Sequence, residues 1–341
     1  MSSDLRAGVI GLGFGANHAR VLSELAGVYL AAICDTDPQR LASASQGREI
    51  ATYTIYAEML RREKLDAVVI AVPARLHEPI AMAAIAAGCA VLIEKPLAPS
   101  LPEGLRLTEA ATKANVPLMP GHIERFNPAL QELARRVHGG EIGRVLQLSA
   151  RRMGALRLPP EDVNVIHDSA VHDIDAMRLV LGSEVEQVYA AAQSGVITGL
   201  ENSLNATLRF ASTDALAGAI GSLEVNWLSP LRLRDLTVLG EDGLFVLQYA
   251  AQSLKLYRSP PRSGPVQGWS LVTDPDGDPS YTVPIEPREQ LVAELEAFTS
   301  AVREGTPMPV AAADGLAALA IADALTQSAR GGQPVTPARY A

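Results

Sequence analysis

The stretch RAGVIGLGFGANHAR, residues 6–20, decides how the chain is read. A short apolar run, AGVI, meets Gly11, Gly13, Phe14, Gly15 and Ala16 and then passes into residues of helical composition. The order fits a G-x-G-x-x-G/A turn between a strand and a helix. Glycine there lets the backbone turn tightly and approach a pyrophosphate, whose charge the free amides and dipole of a helix N-terminus favour. A purely structural strand-to-helix turn uses the same glycines, so the motif needs support from outside itself.

Asp35 supplies it. It ends the next apolar run, VYLAAICD, 24 positions after Gly11, near the roughly 20 at which a carboxylate meets the adenosine ribose hydroxyls. Its charge would repel a 2′-phosphate and no arginine follows directly, so NAD is expected rather than NADP. As the opening residue of the turn DTDP, Asp35 also has a plain structural role open to it.

Working outward, LDAVVIAVP and CAVLIEKP repeat the pattern of a buried run ending in a turn, with helix-like segments at 18–25, 38–45, 56–62 and 78–87 between the runs. This alternation predicts βαβ units and a doubly wound parallel sheet of the Rossmann type. A helix over 103–115 and a strand at VPLMPG close that domain, residues 1–121. After a helix over 128–138, strands follow one another without helical crossovers: GRVLQLSARRM, VEQVYAAAQSG, NSLNATLRFAS, LAGAIGSLEVNWL, RDLTVLGEDG and LFVLQYAAQSLKLY. Leu204, Ala206, Leu208 and Phe210 alternate with Asn205, Thr207 and Arg209, as a sheet with one wet face requires. The expected class is α/β, with a second α+β domain over 122–335 built on a large, mostly antiparallel open sheet. Residues 259–280, crowded with Pro, Gly and Asp, read as a surface loop. Helices over 289–304 and 314–329 carry apolar stripes that must pack, the first domain being one available surface.

Composition narrows the function classes. At roughly 150 residues per domain, 341 residues suggest two. A net charge of −9 and an aromatic content of 4% offer neither the basic footprint nor the stacking rings of a nucleic-acid binder. Cys34 and Cys89 lie far apart in a chain that opens without a secretory leader, which predicts a reduced, cytoplasmic setting. The longest apolar stretch, residues 80–93, falls short of the ~20 residues of a membrane helix.

Ligands of open parallel sheets sit beyond the carboxyl ends of the strands. Val72-Pro73 and Glu94-Lys95-Pro96 end two of those strands, so Lys95 and His77 are expected at the nicotinamide half of the crevice, with Pro96 holding the turn. A lysine there can hydrogen-bond an alcohol oxygen and stabilise charge on it. In VIHDSAVHDIDAM, residues 165–177, a helix would place Asp168 and His172 on one face, where a carboxylate orients an imidazole for proton transfer. His167, Asp168 and His172 are also metal-ligand types, but no cysteine or second carboxylate pair joins them and no metal is expected.

Together GLGFGANH at 11–18, Asp35, AVPARLHEPIA at 71–81, EKPLA at 94–98 and the pair Asp168 and His172 resemble the Gfo/Idh/MocA family of NAD(P)-dependent oxidoreductases over nearly the whole chain. The resemblance implies a site between the two domains, with Lys95 at the nicotinamide and His172 with Asp168 in proton transfer. Which of Lys95 and His172 is the immediate base stays open. It also implies that the open face of the second sheet joins subunits into a homodimer or homotetramer. One residue, Asn17, separates Ala16 from His18 where the family usually has two, so either Ala16 or Gly15 serves as third glycine.

Within the family, GHIERFNPA at 121–129, SARRM at 149–153, AVHDID at 170–175 and LEVNWLSP at 223–230 look most like the UDP-N-acetylglucosamine 3-dehydrogenase group. That implies oxidation of the 3-hydroxyl of a UDP-N-acetylhexosamine, with Arg125, Asn127, Arg152 and Trp227 near the substrate. A diphosphate entering an acidic protein needs local cations, and Arg125, Arg151, Arg152, Arg157, Arg232 and Arg234 fall in the second domain. Adjacent Arg151 and Arg152 point to opposite faces of a strand. The alternatives are an inositol or simple-sugar dehydrogenase or reductase of the same family, and a non-catalytic NAD(H)-bound regulator.

Overall fold

The computed structural model describes residues 4–155, 162–197, 199–211, 218–259 and 280–340. Two sheets organise it. The first has six parallel strands in the order β3-β2-β1-β4-β5-β6, formed by β1 Leu5–Ile10, β2 Val28–Cys34, β3 Ala51–Tyr53, β4 Ala67–Ile70, β5 Ala90–Glu94 and β6 Leu118–Gly121. The crossover helices are α1 Gly15–Glu24, α2 Pro38–Ser45, α3 Tyr56–Arg62, α4 His77–Ala86 and α5 Leu101–Ala114. Every residue of β4 and β5 is buried, which explains their unbroken apolar runs: helices cover both faces of a parallel sheet. The strand order reverses between β1 and β4, and such a switch point opens a crevice at the strands' carboxyl ends.

Local sequence fixes the helix starts. Asp37 caps α2 by accepting from the Gln39 amide, with Pro38 at the first helical position. Asn127 does the same for α6, Pro128–His138, accepting from the Ala129 amide.

The second sheet has eight strands in the order β14-β13-β12-β11-β7-β10-β9-β8. These are β7 Val145–Met153, β8 Val185–Ser194, β9 Glu201–Phe210, β10 Ile220–Asn226, β11 Leu233–Gly240, β12 Gly243–Gln248, β13 Ser253–Arg258 and β14 Ser280–Val283. All neighbours are antiparallel except β7 and β10. As the alternation predicts, Leu204, Ala206, Leu208 and Phe210 are buried while Asn205, Thr207 and Arg209 face water. The core on the covered face receives α6 and α7, Val171–Leu181.

The last helices, α8 Gln290–Glu304 and α9 Ala312–Gly331, tie the two sheets together. Leu291, Leu295 and Phe298 of α8 join the core on one face of the first sheet. On α9, Leu316, Leu319 and Ala320 enter the core on its other face, whereas Ile321 and Leu325 enter the core of the second sheet. One helix thus holds both sheets at fixed separation, and the ends of β5 and α7 are brought together. Most of the expected loop over 259–280, like Arg157, lies outside the described residues. No described helix is long and apolar enough to cross a membrane.

Candidate active site

The glycine turn has the form a bound dinucleotide needs. Gly11 takes φ +89°, and a Cβ there would lie 2.4 Å from the Ala71 carbonyl oxygen, so only glycine fits. Helix α1 starts at Gly15, where a Cβ would stand 3.1 Å from both Val9 Cγ1 and Ala71 Cβ. Gly15, not the exposed Ala16, therefore fills the helix-packing place of the third glycine. Phe14 is exposed in the loop. Asp35 stands at the end of β2 with Oδ2 accepting from the Leu12 amide at 2.6 Å and Oδ1 from the Asp37 amide at 2.8 Å. The carboxylate is thus fastened beside the turn. Arg40 Nη1 approaches it at 3.7 Å, a cation that the sequence pattern did not place here. These residues fit an adenosine dinucleotide.

Lys95 follows β5 and joins Pro96 through a cis peptide bond. Its Nζ donates to Asp168 Oδ1 at 2.7 Å and to the Asp168 carbonyl at 2.7 Å. The two residues that the sequence singled out, 73 positions apart, are one ion pair. Residues Ile166–Ala170 form a π-helical turn ahead of α7, and this wider turn breaks the four-residue alignment expected of Asp168 and His172. The expected carboxylate–imidazole contact is accordingly replaced: Asp168 accepts instead from Lys95 and, at 2.7 Å, from Ser169 Oγ. Ser169 Oγ in turn accepts from Trp227 Nε1 at 3.0 Å. Burial works to raise the Asp168 pKa, but the Lys95 charge and the hydrogen bonds from Lys95 and Ser169, with the Trp227 N–H close behind, outweigh it, and the carboxyl sits below its ordinary value.

His172 is half-buried, with Nδ1 enclosed and unpartnered. Burial first, then the positive charges of Arg152 and Lys95, push its pKa well below the usual histidine value. The imidazole is therefore neutral at neutral pH and able to accept a proton. His167, the other histidine of this stretch, is occupied elsewhere by Asn164 and Asp323. Among the described residues the one cluster of metal-ligand types is His18, Glu94 and Glu294. It is buried inside the first sheet's packing, apart from Asp168 and His172.

Several expected site residues turn out to be fastened inside the protein. His77 is buried with Nδ1 2.8 Å from the Pro96 carbonyl and Nε2 2.9 Å from the Val72 carbonyl. It pins the two strand-end turns, including Val72-Pro73, to each other instead of facing the crevice. Glu94 points inward to His18, 3.0 Å away. Arg125 is held by both oxygens of Asp175 and by Asp314, a tie between the short 3₁₀ turn Ile123–Phe126, α7 and α9. Asn127, fully buried, is consumed in capping α6 and in donating to the Tyr249 carbonyl.

Arg152 and Trp227 do line a cavity of about 350 Å³ beside Asp168. Arg152 is buried and neutralised by Asp173, at 2.6 Å, and Glu124, at 3.0 Å, and lies over the Tyr249 ring. Arg151 on the opposite face of β7 pairs with Asp235, as strand alternation requires. Ser169, Arg232 and Arg234 stand on the same cavity wall. Both arginines were visible only as composition, because the pairing of β7 with β11 that brings them here is not a local property of the sequence.

A family profile described as an oxidoreductase family with NAD-binding Rossmann fold matches residues 5–122, and the GFO/IDH/MocA C-terminal domain matches residues 130–246. Inositol 2-dehydrogenase 4 of Saccharopolyspora erythraea is 38% identical over 191 residues, 54% of this chain and 56% of that protein. The alignment thus spans little more than half that relative's length. Inositol 2-dehydrogenase 2 of the same organism is 32% identical over 249 residues, covering 65% of this chain and 73% of that protein. Among solved structures, the UDP-N-acetylglucosamine 3-dehydrogenase of Acidithiobacillus ferrooxidans superposes with a TM-score of 0.80 at 24% identity, covering 96% of this chain and 98% of that one. At that identity the likeness is one of fold.

Proposed function

The chain belongs to the Gfo/Idh/MocA oxidoreductase family, and from that premise we propose that it is an NAD-dependent dehydrogenase oxidising a secondary alcohol of a polyol or sugar to a ketone. The observation that carries the reading is the Lys95–Asp168 pair with neutral His172 beside it, at the end of a strand where open parallel sheets bind their ligands. Bound NAD would supply the hydride acceptor.

The protein's own residues would do the rest. Asp35 and the amides at Gly11–Gly15 would hold the dinucleotide. Lys95 Nζ donates a hydrogen bond to the substrate oxygen and stabilises negative charge developing on it. His172 takes the hydroxyl proton, its pKa already below the ordinary value. Asp168 holds the ammonium in place through two short contacts.

For the substrate, the inositol dehydrogenases at 38% and 32% identity favour a cyclic polyol or simple sugar over the UDP-N-acetylhexosamine that the subgroup strings suggest. Subunit association through the open face of the second sheet, where Tyr189, Ile220 and Leu239 are exposed, belongs to the same reading. The test is NADH formation from NAD with myo-inositol, glucose, glucose 6-phosphate, a uronate and UDP-N-acetylglucosamine, with a carbonyl trap to remove the ketone. Turnover on one member supports the dehydrogenase. Retained NADH binding with no turnover on any of them would instead support a non-catalytic regulator.

A further inference from the structure

We infer that the cavity beside Asp168 holds an anionic substituent of the substrate, a carboxylate or a phosphate, on the guanidinium groups of Arg232 and Arg234. This rests on the dehydrogenase reading and narrows its sugar or polyol to one that carries an acid group, a sugar acid or a sugar phosphate in place of a neutral polyol.

The inference starts from strand register. In the pairing of β7 with β11, Arg151 stands opposite Asp235 and Arg152 stands opposite Arg234. On one face the cross-strand pair is thus a cation and an anion, joined at 2.7 Å. On the cavity face two cations confront each other, an arrangement that weakens a sheet. Arg152 is compensated by Asp173 and Glu124. Arg232, two positions before Arg234, adds a third cation, its stem passing 3.5 Å from where a Cβ on Gly154 would stand.

Among the described residues, neither Arg232 nor Arg234 has a hydrogen-bond or ion-pair partner, although Arg234 is half-buried. Burial, followed by the charges of Arg152 and Arg232, pulls the Arg234 pKa down, the mark of a cation lacking its counter-charge. Such a group costs stability unless something supplies the charge. Its forked donors match a carboxylate or phosphate in bidentate fashion. Asp168, paired to Lys95, lies on the wall of the same cavity, so one molecule of sugar size can present its alcohol to Lys95 and its anion to the arginines. A neutral polyol would leave both guanidinium groups bare.

The test titrates the NADH-loaded protein by calorimetry with myo-inositol, a hexuronate, a hexose phosphate and a nucleoside-diphosphate hexose, in wild type, Arg232→Gln and Arg234→Gln. At least one anion is expected to bind more than tenfold tighter than the neutral polyol, and each substitution to weaken that binding about ten- to a hundredfold while NADH affinity stays unchanged. The best of the three anions identifies the source of the charge. Equal or weaker binding of every anion relative to the neutral polyol, or full anion affinity in both variants, overturns the inference. Arg234→Gln should also melt no lower than wild type, since an uncompensated cation is removed; a lower melting temperature contradicts its being unpaired. Anion binding without NADH formation on any substrate would remove the dehydrogenase reading alone. Turnover of neutral polyols, indifferent to both arginines, would remove this one alone.

Discussion

Lys95 Nζ touches Asp168 twice, at 2.7 Å from a carboxylate oxygen and at 2.7 Å from the carbonyl oxygen of the same residue. A side chain from the end of the first sheet thereby grips the π-helical turn that leads into α7. The pair fixes a charge and a distance at once, because the ammonium cannot swing away without giving up both acceptors. It also spans the two halves of the molecule.

Replacing the lysine separates these roles. Lys95→Met keeps the length of the stem and removes the donor, so turnover should fall by about 10²- to 10⁴-fold, while NADH affinity measured by fluorescence titration stays near wild type. Asp168→Asn, which keeps an acceptor oxygen, is expected to lose less. Wild-type turnover in Lys95→Met would remove the lysine from the chemistry.

His172 makes a prediction in pH. Burial and then Arg152 and Lys95 hold its pKa well below 6.5, so its proton-accepting form persists into mildly acidic solution. The acidic limb of kcat for alcohol oxidation should therefore lie below the ordinary histidine value, and His172→Gln should abolish that limb along with most of the turnover. A limb centred at or above 6.5 in the wild type would contradict the assignment.

Cofactor choice rests on Asp35. Its oxygens are occupied by the Leu12 and Asp37 amides, and Arg40 approaches at 3.7 Å, so Asp35→Ser both removes a charge and releases a cation. Combined with Thr36→Arg, it should shift the ratio of kcat/KM for NAD over NADP downward by at least tenfold. An unchanged ratio would mean that Asp35 only ties the glycine turn to β2.

What the sequence made legible follows the range of the interactions involved. Helix α6 could be read to the residue because Asn127, Pro128 and the apolar spacing after them are local signals. The parallel sheet was visible in its buried runs, though β3, only Ala51–Tyr53 and partly exposed, carried too little pattern to be seen. Lys95 and Asp168 were each legible, but not their contact, since 73 residues and the whole second sheet's docking intervene. The π turn at Ile166–Ala170 defeats a reading by 3.6-residue spacing, and with it went the expected Asp168–His172 contact. Arg125 and His77 were drawn to the site by motif context, yet their partners, Asp175, Asp314 and two main-chain carbonyls, are set by tertiary packing.

Glu294 carries the last prediction. It lies fully buried on α8, both carboxyl oxygens without a partner, beside Glu94 and His18. Burial, and then the charge of Glu94, push its pKa well above 4.5. The folded state consequently binds this proton more tightly than the unfolded chain does. Stability must then fall as pH rises from the ordinary carboxyl value through the folded-state value, because over that window the native form retains a proton that the unfolded form has lost. Glu294→Gln keeps the size and removes the titration. The variant should melt above the wild type at about pH 8, with an advantage that shrinks toward about pH 5, in thermal melts followed by circular dichroism. A variant that melts below the wild type at the higher pH would show that the Glu294 carboxylate is needed charged, with His18 as the group that compensates it.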